Sequence, residues 1–129
     1  MVSAVVIIEI PELPCSVNKA FSTFRGHRIT TRDYKAWARL VEQYIPDNIP
    51  DLSRSCLSVE IDLIAPNWFT KVGSIRKVDV DNYAKTCLDA IFYHLPIDDS
   101  HIFTLKISKV VSDSQNRRTV VRIYDLSAS

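Results

Sequence analysis

The sequence predicts an α+β fold, a small mixed β-sheet flanked by two main helices. Three observations carry that expectation. From Leu57 to Leu63 apolar residues alternate with Ser58, Glu60 and Asp62, the period of a half-buried strand, before Ile64 extends the run. Two other segments repeat their apolar residues at helical spacing. Strand-like segments stand at both ends of the chain. At 129 residues, the length suits one domain, 1–129, with a core of its own.

Val2 to Ile10 is almost continuously apolar and β-branched, which predicts a strand buried on both faces and ended by Pro11. Pro11 to Thr30 has no sustained period and carries Gly26 and several bases, so a loop or loose hairpin arm is expected. Thr30 and Asp33 have the spacing of a capping box and predict a helix start. Tyr34, Trp37, Val41, Tyr44 and Ile45 form its apolar stripe, and Pro46, lacking an N–H, stops it.

After the alternating strand, Pro66 closes the run and Asn67 to Val78 is expected to be an exposed loop. A second helix is predicted from Asn82 to Tyr93, packing by Ala84, Cys87, Leu88, Ile91 and Phe92 and presenting Asn82, Lys85 and Asp89 elsewhere. Asp98-Asp99 then makes a turn, and Phe103, Leu105 and Ile107 alternate with Thr104, Lys106 and Ser108 in a strand. A last strand, about Thr119 to Leu126, follows the polar turn Asp113-Ser114-Gln115-Asn116.

Composition excludes several classes. The 47% hydrophobic and 24% charged content is that of a globular protein and argues against disorder or a coiled coil. No apolar stretch could span a bilayer, and Ala4 to Ile8 is too short and lacks the basic leader of a signal peptide. Cys15, Cys56 and Cys87 are odd in number with no C-x-x-C pair, which argues against a disulfide framework or zinc site. A cytoplasmic location is therefore expected, with Cys56 and Cys87 in the core.

The net charge of +1 says nothing about partners, but its distribution does. From Leu13 to Arg39 there are six bases (Lys19, Arg25, Arg28, Arg32, Lys35, Arg39) against one acid, Asp33, and Lys71, Arg76 and Lys77 precede an acidic run. Bases beside an acidic cluster suit a phosphate-binding surface next to a metal site, or simply a solvated basic face.

The acidic run is Asp79-Val80-Asp81. In an extended stretch both carboxylates project to one side. Hard oxygen ligands without histidine or thiol favour Mg²⁺, with Mn²⁺ as its substitute, over zinc. Asp81 stands at the expected helix start, where free N–H groups favour phosphate. Lys85, four residues on, is placed to stabilise charge developing on a phosphorane. A turn after the helix could return Asp98 or Asp99 toward Asp79. The bland alternatives are an N-cap role for Asp81, an i,i+4 pair for Lys85 and Asp89, and a solvated strand face for Glu60 and Asp62.

Asp79-Val80-Asp81-Asn82-Tyr83-Ala84-Lys85, then Leu88-Asp89-Ala90 and Asp98-Asp99, resembles the D-L-D-N-x-x-K … D-A-L … D-D signature of RusA-type crossover junction endodeoxyribonucleases. Pro11 to Asn18 resembles the family's P-x-P-P-S-x-N segment with one residue extra. The turn His94-Leu95-Pro96 lacks the family's usual glycine, and the acidic pair comes one residue early.

The resemblance implies a RusA-like fold and a homodimer that binds branched DNA, the four-way Holliday junction of recombination and repair, and with Mg²⁺ makes paired symmetric nicks. It implies Asp79, Asp81 and Asp99 as metal-binding catalytic carboxylates and Lys85 as the catalytic lysine. Asn18, Lys19, Arg25 and Arg28 in the arm, with Lys71, Arg76 and Lys77 before the motif, are the expected DNA contacts, and no membrane association is expected. The rivals are a junction-binding dimer that does not cleave and a metal-dependent hydrolase of a small phosphorylated molecule. The second would have a closed pocket and little salt dependence.

Overall fold

A computed structural model describes residues 3–127. The four long strands are β1 (Val6–Ile10), β4 (Leu57–Ala65), β5 (Ile102–Val111) and β6 (Arg118–Asp125), in the spatial order β1-β6-β4-β5. A separate hairpin joins β2 (Phe21–Phe24) to β3 (His27–Thr30). The helices are α1 (Val17–Ala20), α2 (Arg32–Tyr44) and α3 (Asp81–Tyr93), and a 3₁₀ turn spans Asp99–His101. The sheet is mixed, as expected: β1–β6 and β4–β6 are antiparallel, and β4–β5 is parallel through the α3 crossover.

β4 is central and keeps the alternation its sequence predicts. Leu57, Val59, Ile61 and Leu63 are buried against the helices, while Ser58, Glu60 and Asp62 point to the other side. Val121 and Ile123 of β6 and Val6, Ile8 and Ile10 of β1 join the same core, which Trp37 and Val41 of α2 and Cys87, Ala90 and Ile91 of α3 cover. Both main helices therefore lie on one face. The other face carries Arg122, whose guanidinium bonds Asp62 at 2.8 Å and Glu60 at 3.4 Å. The phenol of Tyr124 bonds Glu60 as well, which raises its own pKa and lowers that of Glu60. Glu60 and Asp62 thus belong to a strand face, as their alternation suggested.

β1 is not buried on both faces. Its burial alternates, and Ile7 is 55% exposed. β1 is an edge strand, paired with β6 alone, and among the described residues no helix covers the side of the sheet that Val5 and Ile7 face. Val2, where that strand was expected to begin, lies outside the described residues. β5 is the other edge. Phe103 (70% exposed) and Leu105 (42% exposed) remain open to solvent. The register shifts between Leu57 and Ser58, which leaves Phe103 without a partner in the ladder.

α2 starts one residue later than expected. Thr30 is spent on the β2–β3 ladder, opposite Phe21, and Thr31 becomes the cap, its Oγ1 accepting from the Tyr34 N–H at 3.3 Å. α3 starts one residue earlier than expected, and its buried set is Thr86, Cys87, Ala90, Ile91 and Phe92, with Ala84 and Leu88 only half-buried. Cys56 is half-buried and Cys87 fully buried; burial pushes the Cys87 thiol up to about 12. No described helix is long and apolar enough to cross a membrane.

Candidate active site

Asp79 and Asp81 open α3. The Asn82 N–H donates to the Asp79 carbonyl and the Tyr83 N–H to the Val80 carbonyl, both at 3.1 Å, and Val80 has helical dihedrals (φ −60°, ψ −32°). Val80 and Asp81 therefore begin a helix that Asp79 directly precedes, and the run is not one extended stretch. The extended backbone on which the expected alternation rests is absent at Val80 and Asp81, because the orphan N–H groups of the helix start take the Asp79 and Val80 carbonyls as acceptors. Val80 occupies the cap position and no side chain caps the helix, so Asp81 is not an N-cap. Both carboxylates are exposed, and among the described residues neither forms an ion pair.

Lys85 is exposed one turn further on and donates to Asp89 Oδ2 at 3.1 Å. Exposed i,i+4 pairs contribute a few tenths of a kcal/mol at most. Asp89→Asn is therefore expected to change unfolding free energy by under about 0.5 kcal/mol in urea titration. An accompanying fall in activity would then measure how far Asp89 aims the lysine.

Asp98 and Asp99 lie at the other end of this helix. Because β5 runs parallel to β4, the crossover must return the chain to the edge of the sheet where β4 began. Leu57 pairs with Ile102 there, and His101 Nδ1 lies 3.0 Å from the Ser55 carbonyl. The start of α3 is instead beside Trp68, whose ring meets Tyr83 edge-on at 6.3 Å and whose Nε1 donates to Val110 at the far end of β5. Thirteen helical residues, about 20 Å, separate the two acidic sites. Asp99 is not brought back to Asp79. Among the described residues no three His, Cys, Asp or Glu side chains gather as a metal-holding group. Asp98 accepts from Ser100 Oγ at 2.8 Å, which holds its carboxyl below the ordinary range; Asp99 is exposed in the 3₁₀ turn.

The expected DNA contacts come from three segments: α1, the β2–β3 hairpin, and the loop that leads into Asp79. Asn18 and Lys19 are exposed on α1, and Lys71, Arg76 and Lys77 on the loop that leads into Asp79. Arg25 and Gly26 form the two-residue tip of the β2–β3 hairpin, with φ of +51° and +78°. Two positive φ values identify a type I′ turn, which favours Asn-Gly; arginine at its first position is strained. That strain puts a cation at the outermost point of the arm. Arg28 lies over the Phe21 ring at 3.8 Å, and Phe21 stacks on Tyr34 of α2, which ties the hairpin to the body.

Sequence reasoning missed the fastening beneath the arm. Thr86, a polar residue on the otherwise apolar face of α3, donates from its hydroxyl to the Cys15 carbonyl, while its own carbonyl accepts from Trp37 Nε1 at 3.1 Å. One buried threonine thus joins the arm, α2 and α3, and the only sequence signal for it was a hydroxyl in an apolar stripe.

The D-x-D-N-x-x-K helix start, the basic arm and every element from α1 to all but the last residue of β6 lie within the part of the chain that a known family covers: endodeoxyribonuclease RusA matches residues 11–124 of 129. The chain belongs to the RusA family. RusA-family membership makes the protein an endodeoxyribonuclease of a family that acts on branched DNA junctions, and the mixed sheet with its helices is compatible with the RusA-like fold. No curated protein matches the chain.

Proposed function

We propose that the chain is a Mg²⁺-dependent, cytoplasmic endodeoxyribonuclease that resolves four-way junctions by paired symmetric nicks in recombination and repair, and that it acts as a homodimer. The observation that carries this reading is the RusA-family helix start itself: two exposed carboxylates without ion-pair partners, one turn from a lysine and beside a strained basic arm.

The donor set suits magnesium, which is usually held by one or two carboxylates with water and substrate phosphate completing its shell. Asp79 and Asp81 would hold the ion, and when bound it would polarise the scissile phosphate and offset its charge. The positive end of the α3 dipole favours the same phosphate. Lys85 approaches from one turn away to stabilise the charge of the transition state. Asn18, Lys19, Arg25, Arg28, Lys71, Arg76 and Lys77 would grip the flanking backbone.

Asp99 is about 20 Å from Asp81 in its own chain, by the length of α3. A two-fold axis that sets one α3 antiparallel to another would bring Asp79 and Asp81 of one protomer beside the partner's Asp99. The dimer would then supply both the third carboxylate and the symmetry that two matched cuts require.

Incubation with a synthetic four-way junction, a linear duplex of the same sequence, and Mg²⁺ or EDTA tests the function. Cleavage confined to the junction with Mg²⁺ is expected, and no cleavage with any divalent cation would overturn it. Arg25→Asn tests the arm: asparagine suits the type I′ turn, so the charge is lost, with its contact over the Phe24 ring, while the turn is kept. The slope of log affinity against log salt is expected to flatten by about 0.9 for one lost phosphate contact, measured by fluorescence anisotropy.

A further inference from the structure

Between the arm, α2 and the first turn of α3 lies a cavity of about 460 Å³ that neither the carboxylates nor Lys85 line. Its volume falls within the roughly 300–1,000 Å³ of small-ligand sites. Leu13, Trp37 and Leu40 give it apolar walls, Tyr83 an aromatic one, and Lys19 and Asp33 bring opposite charges to it. Tyr83 stands in the first turn of α3, the turn that Asp81 begins, so the cavity is built on the same turn as one of the candidate carboxylates.

We propose that this cavity receives one unpaired nucleobase of the DNA, extruded at the branch point, and that it prefers a base carrying an exocyclic amine. The inference rests on the junction-nuclease reading and adds a base-recognition subsite to it. An opened branch point leaves bases without a stacking partner, and such a base needs an apolar slot with polar groups at its edge. Carboxylate oxygens accept hydrogen bonds, so Asp33 suits the amine of adenine, cytosine or guanine. Lys19, an arm residue, is placed for the phosphate of the same nucleotide. A small phosphorylated metabolite fits less well. The lining also holds Glu12, which occupies the second cation, Arg117, at 3.7 Å, so the cavity has no surplus of positive charge for a free phosphate.

Ala36 lies on the exposed side of α2 and lines the cavity, so Ala36→Phe fills the space without touching the carboxylates or the lysine. The probe is a four-way junction carrying 2-aminopurine, itself an amino-bearing base, at each branch-point position in turn, bound in EDTA so that no cleavage is needed. The native chain is expected to change the fluorescence at one position of the junction and at none of the linear duplex. Ala36→Phe is expected to abolish that change and weaken junction binding about tenfold, the scale of one lost base stack. Glu42→Phe, an exposed substitution elsewhere on α2, is expected to do neither. No change at any branch position with the native chain, or an undiminished change with Ala36→Phe, overturns the subsite. Cleavage with Mg²⁺ is followed on the same junctions: a missing fluorescence change with cleavage intact overturns the subsite alone, and absent cleavage overturns the nuclease reading while the binding signal still decides the subsite.

Discussion

Asp81→Asn and Asp99→Asn, each inactive alone, are expected to regain junction nicking when the two proteins are mixed. Each substitution keeps the size and exposure of the side chain and removes a charge from a surface position, so the fold should be unaffected. Each should lower kcat by about 10³-fold, the scale of removing one preorganised electrostatic group from a reaction centre. The regain follows from the distance along α3. If one protomer's Asp79 and Asp81 work with the partner's Asp99, a mixed dimer has one site lacking both carboxylates and one site fully intact. About half of the dimers in an equimolar mixture are mixed if the chains exchange freely. Single nicks should therefore return while paired cuts do not, and a denaturing gel on a junction labelled in both strands distinguishes them. Sites formed within one chain would give no regain, because every site would then carry one lesion. Circular dichroism of each variant separates loss of chemistry from loss of fold.

Most of the element order is legible in the sequence because it rests on local periodicity. The alternation from Leu57 to Leu63 and the stripe from Trp37 to Val41 report which side of each element is buried, and the structure buries those sides. What periodicity cannot report is what covers the other side. Val5 and Ile7 have the apolar, β-branched character of a central strand, yet β1 is an edge whose outer face no helix meets. The hairpin tip escaped notice for a related reason, since Arg25-Gly26 replaces the Asn-Gly that usually announces a type I′ turn. The candidate site divides in the same way. Asp79, Asp81 and Lys85 share the start of α3 because they are neighbours in sequence. The place of Asp99 depends on β5 being parallel to β4, a property of topology that no residue between them encodes.

Trp37→Ala is expected to be the most damaging single change to stability, by about 3–5 kcal/mol in urea denaturation. The indole is 4% exposed and fills the space between α2, α3 and the central strands, so its removal leaves a cavity that rigid neighbours cannot close. Against a total of roughly 5–15 kcal/mol, this is a large share of what keeps the chain folded. Trp37→Phe separates packing from hydrogen bonding: it retains a ring in the core but leaves the Thr86 carbonyl without the indole donor, a loss of about 1 kcal/mol plus whatever the smaller ring forfeits. Thr86→Val removes the hydroxyl at nearly constant volume and strands the Cys15 carbonyl, a cost of about 1–3 kcal/mol. If the threonine is the fastening between arm and body, Thr86→Val should accelerate amide exchange in the arm at Lys19 and Thr31, while the central strands β4 and β6 keep their protection. A uniform acceleration across the sheet would instead make Thr86 an ordinary core residue, and the arm would owe its position to the Phe21–Tyr34 stack alone.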